Sequence, residues 1–139
     1  MIKYQLDYDK SKEVYEYFKN EVKIKECYNN VFNILTLSNA TFREGKWKVA
    51  YGFTETIPLV YCRHCFILDE NDKVIDPTLF TNSEQPHRQY YVMYAFDNVD
   101  EYLNAIELDN LMPALDNYLR EQEKTAYEWA KTEGIVLFG

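Results

Sequence analysis

The sequence predicts an α+β domain in which a buried helix packs against an antiparallel sheet, with additional helices towards the C-terminal end. Three observations predict it. Apolar residues recur at helical spacing up to Leu37, alternate with period two from Trp47 to Phe96, and return to helical spacing after Asn98, so helices and strands are segregated along the chain. At 139 residues, with 47% hydrophobic and 17% aromatic content, the chain has the length and apolar surface of one core. Four Gly and four Pro leave no linker-like stretch, and no repeat period is present, so residues 1–139 read as a single domain.

The first helix is expected over 11–22, capped by Asp9 or Ser11, with Val14, Phe18 and Val22 forming its core stripe. A second is expected over 26–37. Its apolar positions Tyr28, Val31, Phe32, Ile34 and Leu35 cover most of the circumference, which marks a central, buried helix. Cys27 falls in its first turn, on the face of Val31, Ile34 and Leu35. After a loop over 38–46, Trp47, Val49, Tyr51 and Phe53 alternate with smaller or polar residues as a strand, and 59–68 reads as a longer strand. The turn signal Glu70-Asn71-Asp72 leads into a short strand over 73–76, which Pro77 ends because proline cannot donate to a ladder. The aromatic run 89–96 is a further strand, Asn98 caps a helix over 99–108, and a long helix is expected over 111–132, with Pro113 in its first turn. Gly134 stops that helix, and the tail 135–138 can pair as an edge strand.

The charge balance, 15 Lys and Arg against 23 Asp and Glu, repels nucleic acid unless a local basic patch exists, and the longest basic cluster is only Lys23-Ile24-Lys25. The first ten residues turn polar at once, unlike a secretory signal, and no stretch approaches the ~20 apolar residues of a membrane span. Three cysteines, Cys27, Cys62 and Cys65, are too few and too unpaired for a disulfide scaffold. A cytoplasmic setting with free thiols and no membrane or nucleic-acid partner is therefore expected. Cys62-Arg63-His64-Cys65 matches a Cys-x-x-Cys pattern, but residues three apart in a strand point to opposite faces, so neither a metal nor a cofactor is expected there.

Thiol nucleophiles act as thiolates, and the first turn of a helix favours negative charge through its unpaired N–H groups. Cys27 is placed for this. A histidine in reach serves as general acid and base, and a carboxylate fixes its tautomer. Of the two histidines, His64 lies within a strand, whereas His87 follows Pro86 in a polar loop. Asp76 can serve His64 only in one hairpin register. A three-residue loop, with Asp69 facing Lys73 and Phe66 facing Asp76, puts Asp76 and His64 on one face as diagonal neighbours, while a two-residue loop puts them on opposite faces. Asp or Asn at the left-handed position suits the three-residue loop.

Cys27-Tyr28-Asn29-Asn30, Tyr51-Gly52-Phe53, His64-Cys65-Phe66 and Val74-Ile75-Asp76-Pro77-Thr78 together resemble small transglutaminase-like, papain-like domains. In these a helix-borne Cys is followed in chain order by His and Asp on neighbouring strands. The resemblance spans residues 26–78 and implies acyl-transfer chemistry: cleavage of a peptide, isopeptide or amide, or transfer to an amine. It implies Cys27, His64 and Asp76 as the catalytic residues and a protein or peptide as substrate. Gln5 is the one glutamine before Cys27, with no local reason to complete an oxyanion hole. The competing reading is a non-catalytic interaction protein on the same scaffold, binding a protein partner through an acidic surface rich in the chain's 13 tyrosines.

Overall fold

A computed structural model describes residues 1–82 and 86–139. Its elements run in the order β1 (Ile2–Tyr4), α1 (Tyr8–Tyr17), α2 (Cys27–Leu37), α3 (Asn39–Arg43), β2 (Trp47–Ile57), β3 (Val60–Asp69), β4 (Val74–Ile75), β5 (Tyr90–Ala95), α4 (Val99–Leu108), α5 (Arg120–Glu133) and β6 (Val136–Phe138). The mixture is the expected α+β, with helices and strands largely segregated. No helix among the described residues is long and apolar enough to cross a membrane.

The strands form one sheet in the order β1-β5-β2-β3-β4, with β6 added beside β3. All the pairings along that order are antiparallel, but β6 runs parallel to β3, so the sheet is mixed rather than purely antiparallel. The sheet curls until its ends meet. Past β1, Val74 N–H donates to the Gln5 carbonyl at 2.9 Å and Asp7 N–H donates to the Val74 carbonyl at 2.8 Å. Curling separates an inner face, where Ala50, Phe66, Leu68, Val74 and Tyr90 pack with Leu6 and Leu79, from an outer face that carries the helices. On the outer face Val31, Ile34 and Leu35 of α2 meet Val49, Tyr51, Cys65 and Ile67, together with Tyr102, Ala105 and Ile106 of α4. Ala126 and Ala130 of α5 cover Phe53, Tyr61 and Leu137.

The expected boundaries move where local chemistry competes with periodicity. Helix α1 starts earlier because Asp7, rather than Asp9 or Ser11, caps it, accepting from Lys10 N–H at 3.0 Å. It ends at Tyr17, and a 3-10 turn over Lys19–Glu21 carries the chain on, yet Val14, Phe18 and Val22 are all buried as their stripe requires. Helix α3 occupies part of the expected loop. The largest departure is the long C-terminal helix, which begins at Arg120 rather than at residue 111. Here the Asp109 carboxylate accepts the backbone N–H groups of Asn117 and Tyr118, at 3.0 and 3.1 Å, folding the chain back on itself. Asn110, Leu111 and Leu115 take left-handed backbone angles (φ 58°, 62° and 54°), which no helix can contain. The short strand β1, absent from the sequence expectation, pairs with β5 through Ile2 and Val92.

The β3–β4 hairpin adopts the three-residue loop. Ile67 pairs with Ile75 and Leu68 with Val74. Asp72 holds the left-handed position at φ 58°, and Asp69 accepts the N–H groups of Asn71 and Lys73 at 2.8 and 2.9 Å. This register sends Asp76 to the inner face, on the side of His64.

Candidate active site

The outer edge of β3 pairs with β6 from Val60 to Cys62 and with β4 at Ile67 and Leu68. Between these pairings, from Arg63 to Phe66, the edge has no strand partner among the described residues. Cys27, in the first turn of α2, lies close enough to this stretch for its charge to act on Cys62, His64 and Cys65. Cys27 is buried at 8% exposure, and among the described residues no side chain caps the start of its helix, so the first N–H groups there remain available to an anion.

His64 projects to the inner face and turns its Nε2 onto Asp76, at 3.0 Å from Oδ1 and 2.9 Å from Oδ2. With Nε2 engaged, Nδ1 is the nitrogen left for the thiol. Cys27 belongs to the outer-face cluster while the His64 ring projects to the inner face, and the thiol lies near enough to act on the charge of the ring. Phe66 stacks beside the ring, with centroids 6.1 Å apart.

Asp76 lies just beyond β4 and is fully buried. A buried carboxylate is tolerable only when its lone pairs are occupied. Besides His64, the Tyr90 hydroxyl donates to Oδ2 at 2.6 Å, and the Asp76 backbone N–H donates to Ser11 Oγ at 2.9 Å. Burial pushes the Asp76 carboxyl upwards, but the His64 charge and the hydrogen bonds from His64 and Tyr90 outweigh it and hold it below the usual range. Burial likewise opposes a charged His64. The Asp76 carboxylate and then Cys27 overcome it, and the imidazole sits well above its ordinary value. Both directions describe an imidazolium–carboxylate pair. Burial raises the Cys62 and Cys65 thiols, so these two are held protonated.

Two further links fix the helix to the strands. Asn30 Nδ2 donates to Thr78 Oγ1 at 3.0 Å and to the Lys23 carbonyl at 2.8 Å, while its Oδ1 accepts Lys23 N–H at 2.9 Å. The start of α2 is thereby clamped to the turn that follows Asp76. On the outer face, the Arg63 guanidinium lies over the rings of Tyr28 and Tyr51, at 5.3 and 5.9 Å from their centroids. Its Nη1 donates to the Tyr28 hydroxyl at 3.0 Å and to Asp116 at 3.1 Å. Arg63 and Tyr28 each neighbour a site residue in sequence, so this contact couples the backbone of Cys27 to that of His64.

Of the three residues singled out from the sequence, the structure pairs His64 with Asp76 through hydrogen bonds, and Cys27 lies near enough to act on the charge of His64. Sequence reasoning missed Tyr90, Ser11, Asn30 and Arg63. Arg63 had a signal: a charge within an otherwise apolar strand needs partners. Tyr90 had none, since its role depends on β5 lying across β2 from His64. His87 is exposed and lines a cleft of about 300 Å³ with Lys3, Gln5 and Arg88. Gln5 accepts from Lys73 Nζ at 2.7 Å, which engages it away from the thiol. No known protein family, no curated protein and no solved structure matches this chain.

Proposed function

We propose that this protein is a thiol-dependent acyl-transfer enzyme with a papain-like or transglutaminase-like core, acting on a peptide, isopeptide or amide. Cys27 is the nucleophile, His64 the general acid and base, and Asp76 the carboxylate that orients the ring. The observation that carries the reading is the buried Asp76–His64 pair, with Nε2 at 2.9 Å from the carboxylate, set beside a thiol in the first turn of a helix. The cysteines are free, as a reducing cytoplasmic setting maintains them.

In the reaction the Cys27 thiolate attacks the substrate carbonyl carbon, and the oxyanion that forms faces the uncapped N–H groups at the start of α2. The bond to the leaving amine breaks as His64 hands that nitrogen a proton. Water, or a second amine, then attacks the thioester, gives its proton to His64 and releases the thiolate. Asp76 stays ionised throughout and keeps Nδ1 aimed at the sulfur.

Selective alkylation tests the reading. Iodoacetamide at pH 5.5–6 should label Cys27 while Cys62 and Cys65 stay largely unmodified, since an ordinary thiol of pKa about 8.5 is almost wholly protonated there. His64→Ala should slow Cys27 labelling at that pH by ~10-fold or more, because the cation that stabilises the thiolate is gone. Asp76→Asn should slow it less. Peptide mapping gives the rates at all three cysteines together. A Cys27 no more reactive than the other two, and indifferent to His64, would remove the chemical basis of the enzyme and leave the interaction-protein reading in its place.

A further inference from the structure

Strand β6 is aimed at the candidate site. It runs parallel to β3, with Val136 opposite Val60, Leu137 opposite Tyr61 and Phe138 opposite Cys62. Continued by one residue, this register brings Gly139 level with Arg63, and beyond it, in the gap that β4 and β6 leave along this edge, comes His64, on whose charge Cys27 acts. A peptide in this lane therefore travels from N to C towards the thiol, delivering its last carbonyl to the place where an acyl donor must present one.

We propose that this lane beside Val60–Cys62 is the acyl-donor site: an extended peptide adds to β3 as a parallel strand, and Val136–Phe138 is the chain's own occupant of that position. This rests on the acyl-transfer reading above. The lane also sets a sequence preference. Leu137, two residues before the position nearest the site, is buried against Ala126 and Ala130, so an aliphatic side chain is required there. Val136 and Phe138 are 58% and 45% exposed and accept a range of side chains. The position level with Arg63 points to the same side as Leu137, where the Arg63 side chain, 3% exposed, already fills the space, so that residue must be small.

The occupant is exchangeable. It makes three pairings on an open edge, and two of its three side chains face outwards. With a donor in its place, the Cys27 sulfur bonds to the carbonyl carbon of the small residue, the bond to the amine breaks with a proton from His64, and hydrolysis returns the donor as a free carboxylic acid.

The test uses the full chain and an alkylating peptide, Val-Leu-Phe-Gly chloromethyl ketone, with its rate at Cys27 taken relative to that of iodoacetamide. Leu137→Asp releases the occupant and should raise this ratio by ~10-fold or more, because the open lane is then the dominant state. Val136→Asp adds the same charge on the exposed side and should leave the ratio unchanged. In the unaltered protein the forward peptide should react faster than Gly-Phe-Leu-Val chloromethyl ketone, a comparison that survives even if Leu137→Asp fails to fold. Equal ratios across the three proteins, or equal rates for the forward and reversed peptides, overturn the lane. If Cys27 still reacts with iodoacetamide in a His64-dependent way, acyl transfer stands without the lane; if it reacts with neither reagent, both fall.

Discussion

Replacing Asp76 by alanine is expected to destabilise the fold by about 3–5 kcal/mol, the usual result of removing one partner from a buried ion pair. The change leaves His64 Nε2 and the Tyr90 hydroxyl facing a buried cavity, and each lost partner adds to the cost. Chemical denaturation of the two proteins at pH 6 measures the difference. Asp76→Asn keeps the shape and separates charge from packing. The pair's contribution has a defined pH window. His64 is raised above its ordinary 6.5, so its share is complete below that pH and is lost as pH rises through the higher folded value. Asp76 is lowered below its ordinary 3.8, so its share is complete above that pH and is lost as pH falls through the folded value. The advantage of the natural protein over Asp76→Asn should therefore be greatest between pH 4 and 6.5 and shrink towards pH 9. An advantage that grows steadily from pH 6 to 9 would mean that His64 is neutral in the folded protein.

Gly52→Ala is expected to cost about 3 kcal/mol or more, far beyond the ~1 kcal/mol typical of a point substitution. A Cβ at residue 52 would sit 1.9 Å from the Tyr91 carbonyl oxygen and 2.9 Å from its carbon, and both are backbone atoms that cannot rotate away. Register shifts between Tyr51 and Gly52 in the β2–β5 pairing, and the missing side chain lets the two backbones close there. The effect reaches the site, because Gly52 pairs with His64 on one side while β5 carries Tyr90 on the other. A lowered melting temperature should accompany lost selectivity in Cys27 alkylation. Gly45→Ala supplies the contrast: among the described residues nothing lies within 4 Å of its Cβ, so only the left-handed backbone, φ 78°, is strained.

How much of this was legible beforehand differs by element, for physical reasons. Helix α4 matched its expected bounds because Asn98 is a strong cap, accepting Glu101 N–H at 2.8 Å, and the apolar stripe begins at once. Over residues 109–119 periodicity misleads, because Leu111, Leu115 and Leu119 have helical spacing, while the competing hydrogen bonds from Asn117 and Tyr118 to Asp109 are invisible to it. Strand β1 was missed for a related reason: three residues hold too short a pattern, and their pairing with β5 joins distant parts of the chain.

For the candidate site, local signals went further than they usually can. Helical period and strand alternation, which act over a few residues, were enough to place Cys27 in the first turn of a buried helix and His64 in a strand, and turn chemistry favoured a three-residue loop over a two-residue one, which the pairing of Ile67 with Ile75 and Asp72 at φ 58° then selected. That loop determined the face of Asp76. Long-range packing settles that the sheet curls, that the first turn of α2 lies near the stretch of β3 without a strand partner among the described residues, and that Tyr90, Ser11, Asn30 and Arg63 hold the pair and the helix in place. It also decided that β6 runs parallel to β3 and towards Cys27. These contacts join residues far apart in the chain, and what selects them is the need to satisfy a buried carboxylate and a buried guanidinium, a requirement that exists only once the core has closed around them.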